Sequence, residues 1–488
     1  MRRTPTLRRW GVVLTAMLVV LAGCSSGDDD ASGDPTSGDA TGTEAETTAG
    51  TDDATEPADE GTGETETAAA GDGEPVELSV VWFEWAPAQL LEDFANQEYS
   101  KVNPNVTISM DAVPNPQWHD AIFTQFAARQ TDFDIAILDS QWIGEAVEGG
   151  HVLDLTEFAA ESINPDDYPQ NLLSAYGQYP RAEDGLYDPA GNLYGLPALA
   201  DSYVLVYRKD LIGEPPATWD EMIDKAAACQ EENEGMYGLA FHGSGGSDEA
   251  AVMLNTQLWT HGGEIWDPQE LQVEGILNSP ENIEAATQLT DEMLPLTPPG
   301  FVGTAFISEV NAAMAQGQTC MGFNWVAGLE GLQTPEVSGA LGETEEEILE
   351  KLGFARVPTD ETEIVSLGGM GMSVSAYTEN EQEVLDFLAW FQQPEVQVAW
   401  GAFGGVPAQT AALESDEFLS ARPWNPAFVE SVEDLKDFWN MPEYFRLLDI
   451  HNSEANAMLS GTQSAEDTLN NIASQQQEVM DEIREGGL

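Results

Sequence analysis

Between Val76 and Leu138 the period of the hydrophobic pattern keeps changing. "VELSVVWFEW" (76–85) begins as a β-branched run of period two, and "QLLEDFANQEY" (89–99) then sets Leu90, Leu91 and Phe94 at helical spacing. "NPNVTISMDAVP" is a second strand bounded by Asn and Pro, "WHDAIFTQFAARQ" puts Ile122, Phe123 and Phe126 on one helical face, and "FDIAIL" is a continuous apolar run. Strands that alternate with helices pair in parallel, because each crossover returns the chain to the same end of the sheet. The pattern therefore predicts a β-α-β-α-β unit, with the sheet covered on both faces.

The alternation continues beyond this unit. "GNLYGLPALADSYVLVYRKDL" (191–211) leads into a strand, and "PPATWDEMIDKAAACQ" supplies a helix with Thr218 as N-cap and Glu221 completing a capping box. "MYGLAFHGSGGSDEAAVMLNTQLW" predicts a strand, a Gly-rich turn and a helix, and "QTCMGFNWVAG" a strand ending at Asn324-Trp325. "LGFARVP" is a further strand, "EIVSLGGMGMSVSAYTEN" turns through a Gly-rich loop, and a last amphipathic helix starts at Ser464. No internal repeat is visible. At 488 residues and 42% apolar content, such a chain buries a large core and divides into more than one folding unit.

The N-terminal segment is of another kind. Arg2, Arg3, Arg8 and Arg9 precede an apolar run from Gly11 to Leu21, too short for a dedicated membrane span, so the segment reads as an export signal. Leu21-Ala22-Gly23-Cys24 resembles a bacterial lipobox, which implies cleavage before Cys24, lipidation of its thiol and anchorage on the outer side of the cell membrane. An ordinary cleaved signal with an incidental Cys is the alternative, and export by either the general or the twin-arginine route stays open. Residues 25–75 are Asp, Glu, Gly, Ser, Thr and Ala apart from Pro35, Pro57 and Pro75, a composition that predicts a disordered acidic tether.

The chain carries 87 acidic against 16 basic residues, a formal charge of -71. Such a field repels nucleic acid and anionic lipid, and leaves neutral or cationic solutes as ligands. Cys229 and Cys320 lack the spacing of a zinc site and read as two buried thiols, with a disulfide as the alternative. No metal or cofactor motif is present. There is no His-Glu-x-x-His or Gly-x-Ser-x-Gly, so no catalytic residue is assigned; "HGSGGSD" (242–248) has neither the lysine nor the spacing of a phosphate loop.

Several stretches, in order, resemble the extracellular solute-binding proteins of carbohydrate ABC transporters, the class that includes maltose-binding protein. They are "FDIAILDSQWIGEAVEGGHVLDLTEF", "GNLYGLPALADSYVLVYRKDL", "PPATWDEMIDKA", "MGFNWVAG", "SLGGMGMSVSAYTEN", "FLAWFQQPEVQ" and "GGVPAQ". The resemblance covers nearly everything from Val76 onward. It implies a two-lobed α/β fold of the periplasmic-binding-protein type (type II), with a hinged ligand cleft. Lobe 1 would comprise 76–200 and 359–405, and lobe 2 would comprise 201–358 and 406–488. It further implies a monomer that captures a neutral sugar or oligosaccharide outside the membrane and presents it to permease subunits. A non-sugar solute on the same fold, or a surface glycosidase, are the other readings. The family often has Trp in the Gly-rich segment where this chain has Met370.

A sugar offers apolar C–H faces and a rim of hydroxyls, so its site needs aromatic plates beside carboxylates, amides and indole N–H groups. In open α/β sheets ligands lie beyond the carboxyl ends of strands. That places Glu84 and Trp85 after the first strand, and Asp139, Ser140, Gln141 and Trp142 after the third, among the ligand-binding residues. Asp139 is equally suited to cap the helix that follows it. Asn324 and Trp325 qualify on the same ground, and His242 opens the Gly-rich segment at another strand end. Asp201 and Tyr203 match the family's hinge-side segment. Gly369 and Met370 belong to the Gly-rich segment, and Arg422 is one of few cations, with a surface ion pair as its plainer role. Trp82 falls within the strand period and belongs to the core.

Overall fold

A computed structural model of the chain describes residues 74–182 and 184–486. The expected signal segment (1–24), the lipidation site Cys24 and nearly all of the expected tether (25–75) lie outside the described residues.

The predicted parallel unit forms as the sequence indicates. Strand β1 (Val76–Phe83) pairs in parallel with β2 (Val106–Val113) on one side and with β3 (Ile135–Asp139) on the other. The helices Ala86–Glu98 and Trp118–Ala128 make the crossovers. The first has Pro87 in its opening turn, where a missing N–H costs nothing. The second stops at Arg129, whose φ of 54° puts it in the left-handed region. Trp82 is fully buried, as its place in the strand period requires.

A small antiparallel pair, β4 (Gln178–Tyr179) and β5 (Asn192–Leu193), precedes the long strand β6 (Leu196–Arg208). Strands β7 (Tyr237–Ala240), β8 (Thr319–Trp325), β9 (Leu352–Ala355), β10 (Val365–Val374) and β11 (Leu435–Lys436) complete the set. The main sheet has nine strands with the path β2-β1-β3-β10-β6-β8-β7; β9 pairs β6 and β11 pairs β10. Every residue of β6 except Arg208 is buried, as expected for a strand in the middle of a sheet. Its first half pairs with β10, and its second half, from Tyr203, pairs with β8 and β9. On its other edge β10 pairs antiparallel with β3 through Met370–Val374. Strands β6 and β10 thus carry the sheet from the β1–β3 half into the β7–β9 half.

Two expectations change here. The Gly-rich segment near 368–371 is not a loop: Gly368, Gly369, Met370 and Gly371 lie within β10, with a register shift between Met370 and Gly371. The glycines are there because neighbours press on the strand. A Cβ at Gly368 would sit 2.4 Å from the Trp325 ring, and one at Gly371 2.0 Å from the Tyr176 carbonyl oxygen. Gly369 also has a φ of 96°, which a side chain rarely tolerates. The second change concerns Cys229 and Cys320, which form a disulfide with Cα atoms 6.5 Å apart. It joins the helix Trp219–Glu232 to β8, two elements remote in sequence that the packing brings side by side. Closing a loop of 91 residues removes about 4–5 kcal/mol of chain entropy from the unfolded state.

The capping box at Thr218 is modified: its hydroxyl accepts from the Glu221 N–H, while the Glu221 carboxylate takes the N–H of Ala217 instead. The last helix, expected from Ser464, runs Ala465–Gly486, and the Ser464 hydroxyl caps it by accepting from the Asp467 N–H. Among the described residues no helix is long and apolar enough to cross a membrane.

Candidate functional site

A cavity of about 170 Å³ opens where β6 and β10 pass between the two halves of the sheet. One wall is built from the ends of β1 and β3. After β1 the chain presents Phe83 and Trp85, whose rings stack 4.4 Å apart. Trp118, the first residue of the helix Trp118–Ala128, packs 5.0 Å from Phe83 and 4.2 Å from Trp142. Phe445 continues the ring series beside Trp142 at 5.9 Å. This wall is held by ring packing. The indole N–H groups of Trp85 and Trp118 are buried and have no hydrogen-bond partner, although Trp118 is only 3% exposed.

Beyond β3, Asp139 caps the turn that follows it, as one of its two expected roles requires, and stands at the cavity. Its carboxylate caps the short turn Ser140–Trp142, accepting from the Gln141 N–H at 3.5 Å, and it also lines the cavity. The Gln141 amide donates to Asp437 at 3.0 Å, and Arg181 donates to the other Asp437 oxygen at 2.6 Å and to the Ser140 carbonyl at 2.9 Å. One Arg181 nitrogen, Nη2, thus holds this turn and Asp437 together, while its buried Nε has no partner.

The opposite wall is wired by hydrogen bonds around Glu249, the first residue of the fully buried helix Glu249–Thr260. Its carboxylate accepts from the Tyr203 hydroxyl at 2.6 Å, from the Trp325 indole at 3.0 Å and from His242 Nδ1. A carboxylate only accepts, so His242 carries its proton on Nδ1. Burial works to raise the Glu249 pKa, but the His242 charge and the three donors outweigh it and hold the carboxyl below its usual range. Asp201, in the middle of β6, is 3% exposed and accepts from the backbone N–H groups of Ser202 and Ala327. Burial still pushes it up to about 8. Asp248 is pushed up to about 7 by burial and by its neighbour Glu249. Asp139 is also raised, by burial first and then by Asp248 and Asp437.

Of the residues singled out in the sequence, Trp85, Asp139, Gln141, Trp142, Asp201, Trp325, Gly369 and Met370 line this cavity. Met370 also accepts a hydrogen bond from the Trp82 indole on its sulfur, at 3.3 Å. Ser140, Tyr203, His242 and Asn324 are buried just behind the lining. Tyr203 and His242 act through Glu249, and Asn324 holds the Ile307 carbonyl and Asn311. Glu84 and Arg422 are not brought to the cavity. Glu84 is exposed, because the alternation that turns Phe83 inward turns the next residue out. Arg422 pairs with Glu330 at 2.9 Å in a separate small cavity beside Trp424.

The lining also includes Trp118, Asp248, Glu249, Phe306, Tyr444 and Phe445, none of which the sequence marks out. Trp118 and Tyr444 open helices and read as ordinary core rings. Asp248 and Glu249 are hidden among 87 acidic residues, and their one signal is the Gly-rich segment that Asp248 ends and Glu249 follows. No group of three or more His, Cys, Asp or Glu side chains suited to hold a metal ion occurs among the described residues.

Residues 85–398 match the model of the bacterial extracellular solute-binding protein family. A probable amino-acid ABC transporter periplasmic-binding protein from Sinorhizobium fredii is 24% identical over 281 residues, 56% of this chain and 58% of that protein. The chain thus aligns with little more than half the length of that relative. A maltotriose-binding protein from Pyrococcus abyssi is 25% identical over 222 residues, 45% of this chain and 44% of its own. Among solved structures, maltose-bound MalE3 of T. maritima superposes with a TM-score of 0.70 at 20% identity, over 83% of this chain and 99% of that one. A solute-binding protein from Agrobacterium radiobacter in complex with ribitol gives 0.68 at 20% identity, over 83% and 99%. The superpositions show the two-lobed α/β fold with its ligand cleft, and the cavity lies between the halves that β6 and β10 connect.

Proposed function

Because the chain belongs to the bacterial extracellular solute-binding protein family, we propose that it is the substrate-binding component of an ABC importer for a sugar, sugar alcohol or oligosaccharide. One observation carries this reading: a cavity that combines the ring wall of Trp85, Trp118 and Trp142 with the acceptors Asp139 and Asp201. Ring faces take the C–H faces of a pyranose or polyol, and the carboxyl groups take its hydroxyl protons. The solute-binding relatives in solved complexes hold maltose and ribitol, compounds of this class.

In this reading the chain is a monomer with lobes 76–200 plus 359–405 and 201–358 plus 406–488. It is anchored outside the cell membrane through a lipidated Cys24 and delivers its solute to permease subunits when the cleft closes. Closure carries information only if the solute favours the closed form over the open one. The Sinorhizobium relative supports a second reading, an amino-acid solute. An α-carboxylate needs a free cation, however, and Arg181 is committed to Asp437.

Calorimetry of the mature protein against a panel of sugars, sugar alcohols and amino acids tests the proposal. A saccharide or polyol is expected to bind with micromolar affinity, about 8 kcal/mol. Trp142→Ala and Trp325→Ala should each weaken it by at least tenfold, about 1.4 kcal/mol. If amino acids alone give heat, the sugar reading is lost.

A further inference from the structure

The cavity is bridged at one edge. His119, the second residue of the helix Trp118–Ala128, and Phe445, the second residue of the helix Tyr444–Leu459, both line it, and their ring centroids lie 3.8 Å apart. They come from opposite sides. His119 is held on the β1–β3 half, packed 4.3 Å from Phe123 and bonded through Nε2 to Glu145 at 3.2 Å. Phe445 belongs to a helix fixed on the other half, where Asn452 accepts from the Ala251 N–H at 3.0 Å and Asn456 donates to the Gly303 carbonyl at 2.8 Å. The floor is β6 and β10 themselves, through Asp201 and the segment Leu367–Met370. The open side lies by Pro116 and Gly246, which line the cavity and are exposed.

The enclosed room is small. A cavity of about 150 Å³ encloses a single benzene ring, and this one measures about 170 Å³. A pyranose, or a polyol chain of similar size, fits that room and has the open side for its outermost hydroxyls. A second sugar ring has two courses: it parts His119 from Phe445, or it leaves by the open side and stands between the halves. Either course opposes closure, and closure is what the solute must favour. We propose that the solute is a monosaccharide or a sugar alcohol of similar size, and that the ring contact between His119 and Phe445 is the device that excludes longer saccharides. This rests on the sugar reading above and narrows it to one ring.

Calorimetry of the mature protein with glucose, galactose, ribose, mannitol and sorbitol, beside disaccharides and trisaccharides built from the same sugars, separates size from class. The best single-ring or polyol ligand is expected to bind at least about tenfold tighter than any longer saccharide, the scale set by one lost ring contact. F445A and, independently, H119A should reduce that gap to about threefold or less by making room for the second ring, while circular dichroism reports an unchanged fold. Equal or tighter binding of the longer saccharides by the parent protein would overturn the size limit and leave the sugar reading standing. A gap that survives in both variants would overturn the ring contact as its cause. Silence across every sugar and polyol would overturn the two readings together. If one variant is misfolded the other carries the test of the contact, and the ranking by the parent protein decides the size limit by itself.

Discussion

The two walls of the cleft are made from similar residues and held by different forces. On the β1–β3 side, Phe83, Trp85, Trp118 and Trp142 lean on one another, and two indole N–H groups are left unused. On the β7–β9 side, Trp325 packs 4.2 Å from Tyr203, but both are tied to the Glu249 carboxylate, as is His242. Packing leaves a ring held only by its neighbours' faces and edges, whereas wiring fixes a ring's orientation before any ligand arrives. The first wall is thus suited to recognition and the second to preorganisation.

The largest test of this contrast is Glu249→Ala. It strands three buried donors and leaves His242 without its counter-charge, so a loss of about 3–5 kcal/mol is expected, read from the urea midpoint. A loss no greater than that of an ordinary small core truncation would mean that the second wall is packed rather than wired.

Next in size is a matched pair. Trp325→Phe deprives Glu249 of a donor and should cost about 1–3 kcal/mol. Trp118→Phe removes an N–H that bonds nothing in the chain and should cost less than about 1.5 kcal/mol, while weakening the ligand. Equal stability losses in the two variants would erase the distinction between the walls.

The smallest effect is on pH dependence. Asp201 and Asp248, pushed up to about 8 and about 7, keep in the folded chain a proton that the unfolded chain has released. Their contribution is complete below the unfolded carboxyl range and is lost as pH rises through those values. From pH 6.5 to 8 the ligand-free protein should therefore lose stability, by at most about 1.4 kcal/mol per pH unit for each proton involved. Asp201→Asn should flatten the slope of Tm against pH. The buried His451, pushed down to about 3, acts in the opposite sense only below its ordinary 6.5, so the loss in the higher window belongs to the raised carboxyl groups, Asp139 among them.

Strand ends were legible in the sequence because the runs before them are short, apolar and of clear period: Trp85, Asp139, Trp142 and Trp325 all follow such runs and all reach the cavity. Helix-borne residues were not. Trp118, Glu249, Tyr444 and Phe445 come from three helices spread over more than half the chain, and an amphipathic helix looks the same whether its apolar face meets a core or a cavity. The segment Gly368–Gly371 misled for a related reason. Glycines mark close approach as often as turns, and only the tertiary neighbours, Trp325 and Tyr176, decide between the two. Cys229 and Cys320 likewise became a pair only once a helix was laid against β8.

Strands β6 and β10 run side by side from one half of the sheet into the other, joined by a ladder from Leu196 to Ser202. In mechanical terms they form a two-plank leaf spring. Hydrogen bonds in the plane of the ribbon resist stretching and sliding, so the compliant modes left to it are bending and twisting. Gly368, Gly369 and Gly371 sit in one plank at that point, where side chains would otherwise stiffen it. Bending of this ribbon changes the width of the cleft. A solute that touches both walls therefore works in part against the curvature of this ribbon.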